Sequence, residues 1–176
     1  MDTPNLSSGR LLYRPITIDD IDFVYKLFSR SETNRHSEDK NVASMEEAVK
    51  MYKKYMEPND SERFRVLIES LNGEPMGTIG LYLYSKEHKR AEIGYDLMKE
   101  HWGNGYITEA VKTIVDYGFN TLGLVRIEAT VDSENGASAK VLEKNGFKHE
   151  GTLRKRFFHD DKWHDELVYG LLKDNI

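Results

Sequence analysis

The sequence predicts an α+β fold, and three observations carry that prediction. Two alternating apolar runs flank Asn72-Gly73, residues 90–145 read strand, helix, strand, helix, and GTLRKRFFHDDKWHDELVYGLL reads as a closing hairpin. Taken in order, residues 10–16 form a strand. Thr17 or Asp19 caps a helix reaching about residue 30, with Ile18, Ile21, Val24, Tyr25 and Phe28 on one face. SRSETNRHSEDKN is polar and has no period, so it is expected as an exposed loop of the kind that shapes a specificity pocket. Ser44, followed three positions later by Glu47, makes a capping box that opens a helix to about residue 56. RFRVLIESLNGEPMGTIGLYLY gives two strands joined by a type I′ turn at Asn72-Gly73, the dipeptide that most readily takes two positive φ values. RAEIGYDLM is a strand, residues 107–122 a helix, RIEATVD a strand and residues 136–145 a helix. In the long helix Ile107, Val111, Ile114, Val115, Gly118, Phe119 and Leu122 share a stripe that packs on the sheet, while Lys112 and Asp116 face water.

Composition narrows the function. At 176 residues, 39% hydrophobic, the chain can bury one sizeable core and is read as a single domain over 1–176. No apolar run approaches the roughly 18 residues of a membrane span. The stretch MDTPNLSSGR lacks the basic and apolar segments of a signal peptide, so a cytoplasmic location without a membrane partner is expected. Zero cysteines exclude a disulfide framework, a thiolate metal site and a cysteine nucleophile. A formal charge of −5 argues against nucleic-acid binding, which needs a basic face, and suits a cationic acceptor. His149, His159 and His164 lack ligand spacing and read as surface residues, so no metal is expected. Ser138 has no G-x-S-x-G elbow around it, which sets aside a hydrolase triad.

The segment EHWGNGYITEA raises a sharper point. Gly103-Asn104-Gly105 sits between a strand ending near Met98 and a helix start, where unpaired backbone N–H groups and the positive end of the helix dipole converge. Glycines there let backbone approach a phosphate. A Walker loop would need Lys after its last glycine, and the dinucleotide fingerprint would need glycine at position 108, which is Thr108.

AEIGYDLMKEHWGNGYITEA together with SENGASAKVLEKNGFKHEGTLR resembles the GNAT superfamily of acyl-CoA-dependent N-acyltransferases, in its RimJ/RimL-type branch of protein N-terminal acetyltransferases. The resemblance runs from RLLYRPIT to KWHDELVYGLL. It implies a mixed, mostly antiparallel, twisted sheet of about seven strands flanked by about four helices, with two strands splayed where the cofactor lies. It also implies that acetyl-CoA is the donor, a primary amine the acceptor and no metal is needed, and it leaves a homodimer open. Carried over by position, Tyr95, Asp96 and Leu97 would offer strand-edge groups to pantetheine. Trp102, Gly103, Asn104, Gly105, Tyr106, Ile107 and Thr108 would form the diphosphate turn. The superfamily pattern [QR]-x-x-G-x-[GA] is met here by Trp102 at its first position, as is usual in this branch, and by the bulkier Ile107 at its last.

Amide formation from a thioester needs a neutral amine, a polarised carbonyl and a stabilised thiolate. By the same resemblance Glu92 is the candidate base, its competing role being a strand glutamate paired with Lys89 or Arg90. A glutamate that serves as base in the RimJ/RimL-type branch is matched here by Phe157. A backbone N–H near Asp96 or Leu97 would meet the carbonyl. Asn135 and Ser138, at N-x-x-S spacing on a helix start, would face pantetheine and the sulfur, or else simply cap the helix. Many members carry a tyrosine acid where this chain has Leu142, so Ser138 is the candidate donor to the thiolate. Lys140 would meet adenosine phosphates. An α-amine of pKa about 7.7–8.0 is easier to deprotonate than a lysine at about 10.4, so an N-terminal amine is the expected acceptor. FFHDDKWHDE also resembles polyamine acetyltransferases, the alternative acceptor class. A non-catalytic acyl-CoA-binding module is the alternative of another kind.

Overall fold

The computed structural model describes residues 3–36, 41–56 and 62–175. In chain order its strands are β1 (Leu6–Ser7), β2 (Leu11–Pro15), β3 (Phe64–Ser70), β4 (Pro75–Ser85), β5 (Arg90–Leu97), β6 (Arg126–Asp132), β7 (Lys148–His159) and β8 (Lys162–Leu172). The helices are α1 (Ile21–Phe28), α2 (Ser31–Asn34), α3 (Met45–Tyr55), α4 (Tyr106–Asn120) and α5 (Gly136–Lys144). One sheet holds all eight strands in the order β1-β2-β3-β4-β5-β6-β8-β7.

Every neighbouring pair is antiparallel except β5 and β6. Their parallel ladder has three rungs, Arg90↔Arg126, Ala91↔Ile127 and Glu92↔Glu128. Beyond Glu92, β5 stays on β4 as far as Leu97↔Gly77, and β6 stays on β8 as far as Asp132↔Glu166. The two strands therefore part at mid-sheet, leaving one edge of each without a strand partner among the described residues.

Two apolar clusters cover the sheet. Ile79, Leu81, Ala91, Ile93, Ile127 and Ala129 pack with Val111, Ile114 and Phe119 of α4 and Leu142 of α5. On the opposite face Ile16 and Leu67 pack with Val24, Leu27 and Phe28 of α1 and Ala48 and Tyr52 of α3. Side chains alternate along strands. Beside Ala91, Ile93, Ile127 and Ala129 on the first face, Glu92, Thr130 and Asp132 consequently project to the second.

Several local expectations are corrected. The extra strand β1 and the extra helix α2 are too short to show a period, and α2 falls inside the segment expected as a loop, whose residues 37–40 lie outside the described ones. A single 3-10 turn, Ile18–Asp20, precedes α1; Thr17, one of the two expected candidates, is its N-cap, while Asp20 and not Asp19 accepts from Thr17 N–H at 2.8 Å and stands at the N-cap of α1. Three residues per turn take Ile18 off the apolar stripe, leaving it 50% exposed, and Leu27 joins the buried set instead. Ser44 accepts from Glu47 N–H at 3.2 Å, yet the Glu47 carboxylate reaches Ala43 N–H and not Ser44. In the β3–β4 hairpin Gly73 N–H closes on Ser70 O at 2.9 Å and only Gly73, at φ 79°, is left-handed. Asn72 is not, so the connection is a longer loop with one left-handed glycine rather than a type I′ turn. Among the described residues no helix is long and apolar enough to cross a membrane.

Candidate active site

Gly103 and Gly105 hold φ values of 78° and 76°, and Gly105 is the N-cap of α4. Left-handed backbone here turns the chain so that none of the N–H groups of residues 103–108 finds an acceptor among the described residues. Six donors at the positive end of a 15-residue helix make a cradle for an anion. A Cβ on Gly103 would touch nothing within 4 Å, so the space above the turn is open.

Side chains from elsewhere brace this turn. Trp102 Nε1 donates to Leu97 O at 2.8 Å, tying the turn to the end of β5. Asn104 folds its amide back onto Trp102 O at 3.1 Å. Arg10 donates to Asn104 O at 3.0 Å and to Glu109 at 2.7 Å, with its guanidinium 4.6 Å from the centre of the Tyr106 ring. The Arg10–Glu109 pair escaped the sequence reading because 99 residues separate the two and no local spacing links them. Asn145 joins the helices by donating to Thr108 O at 3.3 Å. Trp102→Phe keeps an aromatic ring, though a smaller one, and removes the indole donor, a loss of about 1 kcal/mol for the hydrogen bond. The KM for acetyl-CoA should rise about fivefold with kcat unchanged; a fall in kcat alone would mean that Trp102 does not act through the turn.

Glu92 stands on the last rung before the strands part. Its Oε1 accepts from Tyr82 OH at 2.8 Å and Thr130 Oγ1 at 3.0 Å. Gly94 makes this possible, since a Cβ there would lie 2.8 Å from the Tyr82 ring. Burial and the adjacent Glu92 carboxylate push the Tyr82 phenol far above its ordinary value, which keeps it a donor. Arg90, one of the two cations that the competing role would pair with Glu92, instead donates to Glu128 at 2.9 Å. The half-buried carboxylate is thus aimed by neutral hydroxyls, and no cation pairs with it among the described residues.

On the other face, Ser138 lies in the first turn of α5. Asn135 Oδ1 accepts from Ser138 N–H at 3.1 Å, so the asparagine side chain caps its own helix. Ser138 Oγ stands 2.8 Å from Tyr95 OH, a contact no motif suggested. The Asp96 carboxylate points to the opposite side and pairs with Arg65. Leu97 contributes its carbonyl to Trp102, and Lys140 is exposed on α5. Leu142, at the position where many superfamily members carry tyrosine, is fully buried.

A free N–H cradle opening beside splayed strands fits a diphosphate followed by an extended arm, and comparison with known proteins gives the same indication. An acetyltransferase (GNAT) domain model matches residues 10–148. The chain is similar to the N-acetyltransferase YoaA of Bacillus subtilis (strain 168), at 38% identity over 97% of each. This chain belongs to the GNAT acetyltransferase family. It is also similar to the spermidine N(1)-acetyltransferase of Escherichia coli K12, at 29% identity over 93% of this chain and 86% of that one. A crystal structure of a GNAT-family acetyltransferase from Bacillus anthracis superposes with a TM-score of 0.86, at 28% identity, covering 97% of this chain and 99% of that one.

Two further features of this acetyltransferase lie on the Glu92 face. An open cavity of about 770 Å³ sits between the α2 region and the β7–β8 turn, with Glu32, Asp160, Asp161, Arg35 and Phe158 among its lining residues. Nearby, Asp132 Oδ2 meets His36 Nδ1 at 2.8 Å and His164 Nδ1 at 3.1 Å. His164 was expected at the surface, but it is 5% exposed and stacks on Phe157 at 4.8 Å. His159 is half-buried and His149 exposed. Asp132, Glu134 and His164 place ligand atoms within 4.8 Å of one another, yet Glu134 is taken by Lys162 at 2.7 Å.

Burial alone would raise the Asp132 carboxyl. The Glu134 N–H and the imidazoles of His36 and His164 outweigh burial and hold it below the usual carboxylate range. A depressed pKa contributes stability above the unfolded value near 3.9 and loses it as pH falls through the folded one. Asp132→Asn should therefore cost about 2 kcal/mol at pH 6. Thermal melts should show the gap from wild type closing below about pH 4; a gap independent of pH would remove the ionic contribution.

Proposed function

We propose that this chain is a RimJ/RimL-type N-acetyltransferase that passes an acetyl group directly from acetyl-CoA to a protein N-terminal α-amine. The observation that carries the reading is the position of Glu92, a carboxylate with no cationic partner among the described residues, at the rung where the sheet opens beside the N–H cradle. Acetyl-CoA supplies a thioester carbonyl open to attack by an amine. Residues 103–108 would hold its diphosphate, the free edge of β5 at 95–97 its pantetheine arm, and Lys140 its adenosine phosphates. Asn135 Nδ2, not used in the helix cap, would reach the same arm.

Glu92 takes the amine proton, directly or through water, and Ser138 meets the departing sulfur. Serine is too weak an acid to protonate a thiolate of pKa about 8.5, so its part is to donate a hydrogen bond. An α-amine asks roughly 2.5 pKa units less of the base than a lysine does, about 3.4 kcal/mol at neutral pH. That difference suits a site with one base and no tyrosine at position 142.

A second reading, a polyamine acceptor, is favoured by the carboxylates of Glu32, Asp160 and Asp161 around the cavity and by similarity to a spermidine acetyltransferase. Coenzyme A release with peptides of varied first residue, set against spermidine and spermine, decides between them. Higher kcat/KM on peptides supports the first reading, and higher kcat/KM on polyamines replaces it. Tight coenzyme A binding without turnover on any amine would make the chain a binding module.

A further inference from the structure

Glu92 and Tyr95 are three residues apart on β5, and successive side chains alternate, so they emerge on opposite faces where β5 leaves β6. One face carries the candidate base. The other carries two hydroxyls 2.8 Å apart, Tyr95 OH and Ser138 Oγ, with the Tyr95 ring packed against the apolar cluster beneath α4 and α5. A thioester lying in the opening would thus have a proton acceptor on one side and a bonded pair of hydroxyls, with one proton to spare, on the other.

Which hydroxyl donates to which follows from acidity. A phenol is a stronger acid than an aliphatic alcohol, so the better donor of the pair is Tyr95. Burial pushes its phenol up to about 12, the Ser138 hydrogen bond opposing and the Asp96 carboxylate adding to the rise. It stays protonated throughout the working range of the reaction. With the Ser138 oxygen accepting from Tyr95, the serine proton is the one left free.

We propose that Tyr95 is the positioning residue for the leaving group: it fixes the Ser138 hydroxyl so that the serine proton faces the sulfur of coenzyme A. This rests on the acetyl-transfer reading above. In the step itself Glu92 takes a proton from the acceptor ammonium, the freed amine nitrogen bonds to the carbonyl carbon and sheds its surplus proton to water, and the C–S bond breaks with the electron pair going to sulfur. The thiolate is held by the Ser138 hydrogen bond, polarised by Tyr95, and no proton leaves either hydroxyl. Without Tyr95 the serine is free to turn back to a carbonyl of its own helix, the usual resting place of a helical serine.

Two measurements test this on the purified protein. Tyr95→Phe keeps the ring and removes one oxygen; kcat should fall about tenfold with the KM for acetyl-CoA within twofold, as the loss of one hydrogen bond predicts. Ser138→Ala should fall at least as far, and Tyr95→Phe/Ser138→Ala should match Ser138→Ala within twofold, because Tyr95 acts only through the serine. The second measurement needs no acceptor: bound coenzyme A is titrated by the ultraviolet absorbance of its thiolate. The wild type should lower the thiol pKa by about one unit from its free value near 8.5, and each single variant should restore it. A Tyr95→Phe protein with unchanged kcat and unchanged thiol titration overturns the assignment, as does a double variant whose loss is the product of the two single ones. Absence of turnover with every amine, alongside the expected thiol shifts, would reject the acceptor reading and keep the role of Tyr95.

Discussion

Gly105→Asp should weaken acetyl-CoA binding about a hundredfold while moving the melting temperature by no more than a few degrees. The two effects separate because aspartate is a good N-cap for α4 and tolerates left-handed backbone better than most residues, yet adds a negative charge to an anion cradle. A unit charge about 5 Å from a phosphate, at an effective dielectric near 20, costs roughly 3 kcal/mol, or about two decades in affinity. Gly105→Asn is the control. It shares the shape without the charge, so it should lose about tenfold, and only the aspartate variant should recover as salt rises. Calorimetry with acetyl-CoA reads both. Equal affinity in wild type and Gly105→Asp would remove the diphosphate from this turn, and with it the donor from the reaction.

Glu92→Gln is expected to lower kcat by about two to three orders of magnitude, the range for removing a positioned general base. The substitution is mild structurally, since the glutamine carbonyl can still accept from Tyr82 and Thr130. Stability and acetyl-CoA affinity should therefore hold. The deficit should be greatest below the pKa of the acceptor, about 7.7–8.0 for an α-amine, where the enzyme must remove a proton. Above that pH the free amine arrives ready to attack and the variant should approach wild type. A pH–rate profile displaced by a constant factor at all pH values would show that Glu92 is not the base.

What could be read in advance divides along the range of the interactions concerned. The 3.6-residue stripe of Val111, Ile114, Val115 and Phe119, the paired glycines before α4, the two hairpins and the order of strands are local signals, because backbone propensity, side-chain period and glycine conformation act over a few residues. The amino-acid sequence alone therefore determined the fold class, the glycine turn before α4 and the family, whose motifs are short and contiguous. It could not show that Arg10 braces the cradle, that Tyr82 and Thr130 aim Glu92, that His36 and His164 share the Asp132 carboxylate, or that Tyr95 meets Ser138. Each of those pairs is brought together by sheet order and by the parting of β5 from β6, across separations of 10 to 99 residues. A hydrogen bond depends on distances and angles in space, and only the packed sheet and its helices set those.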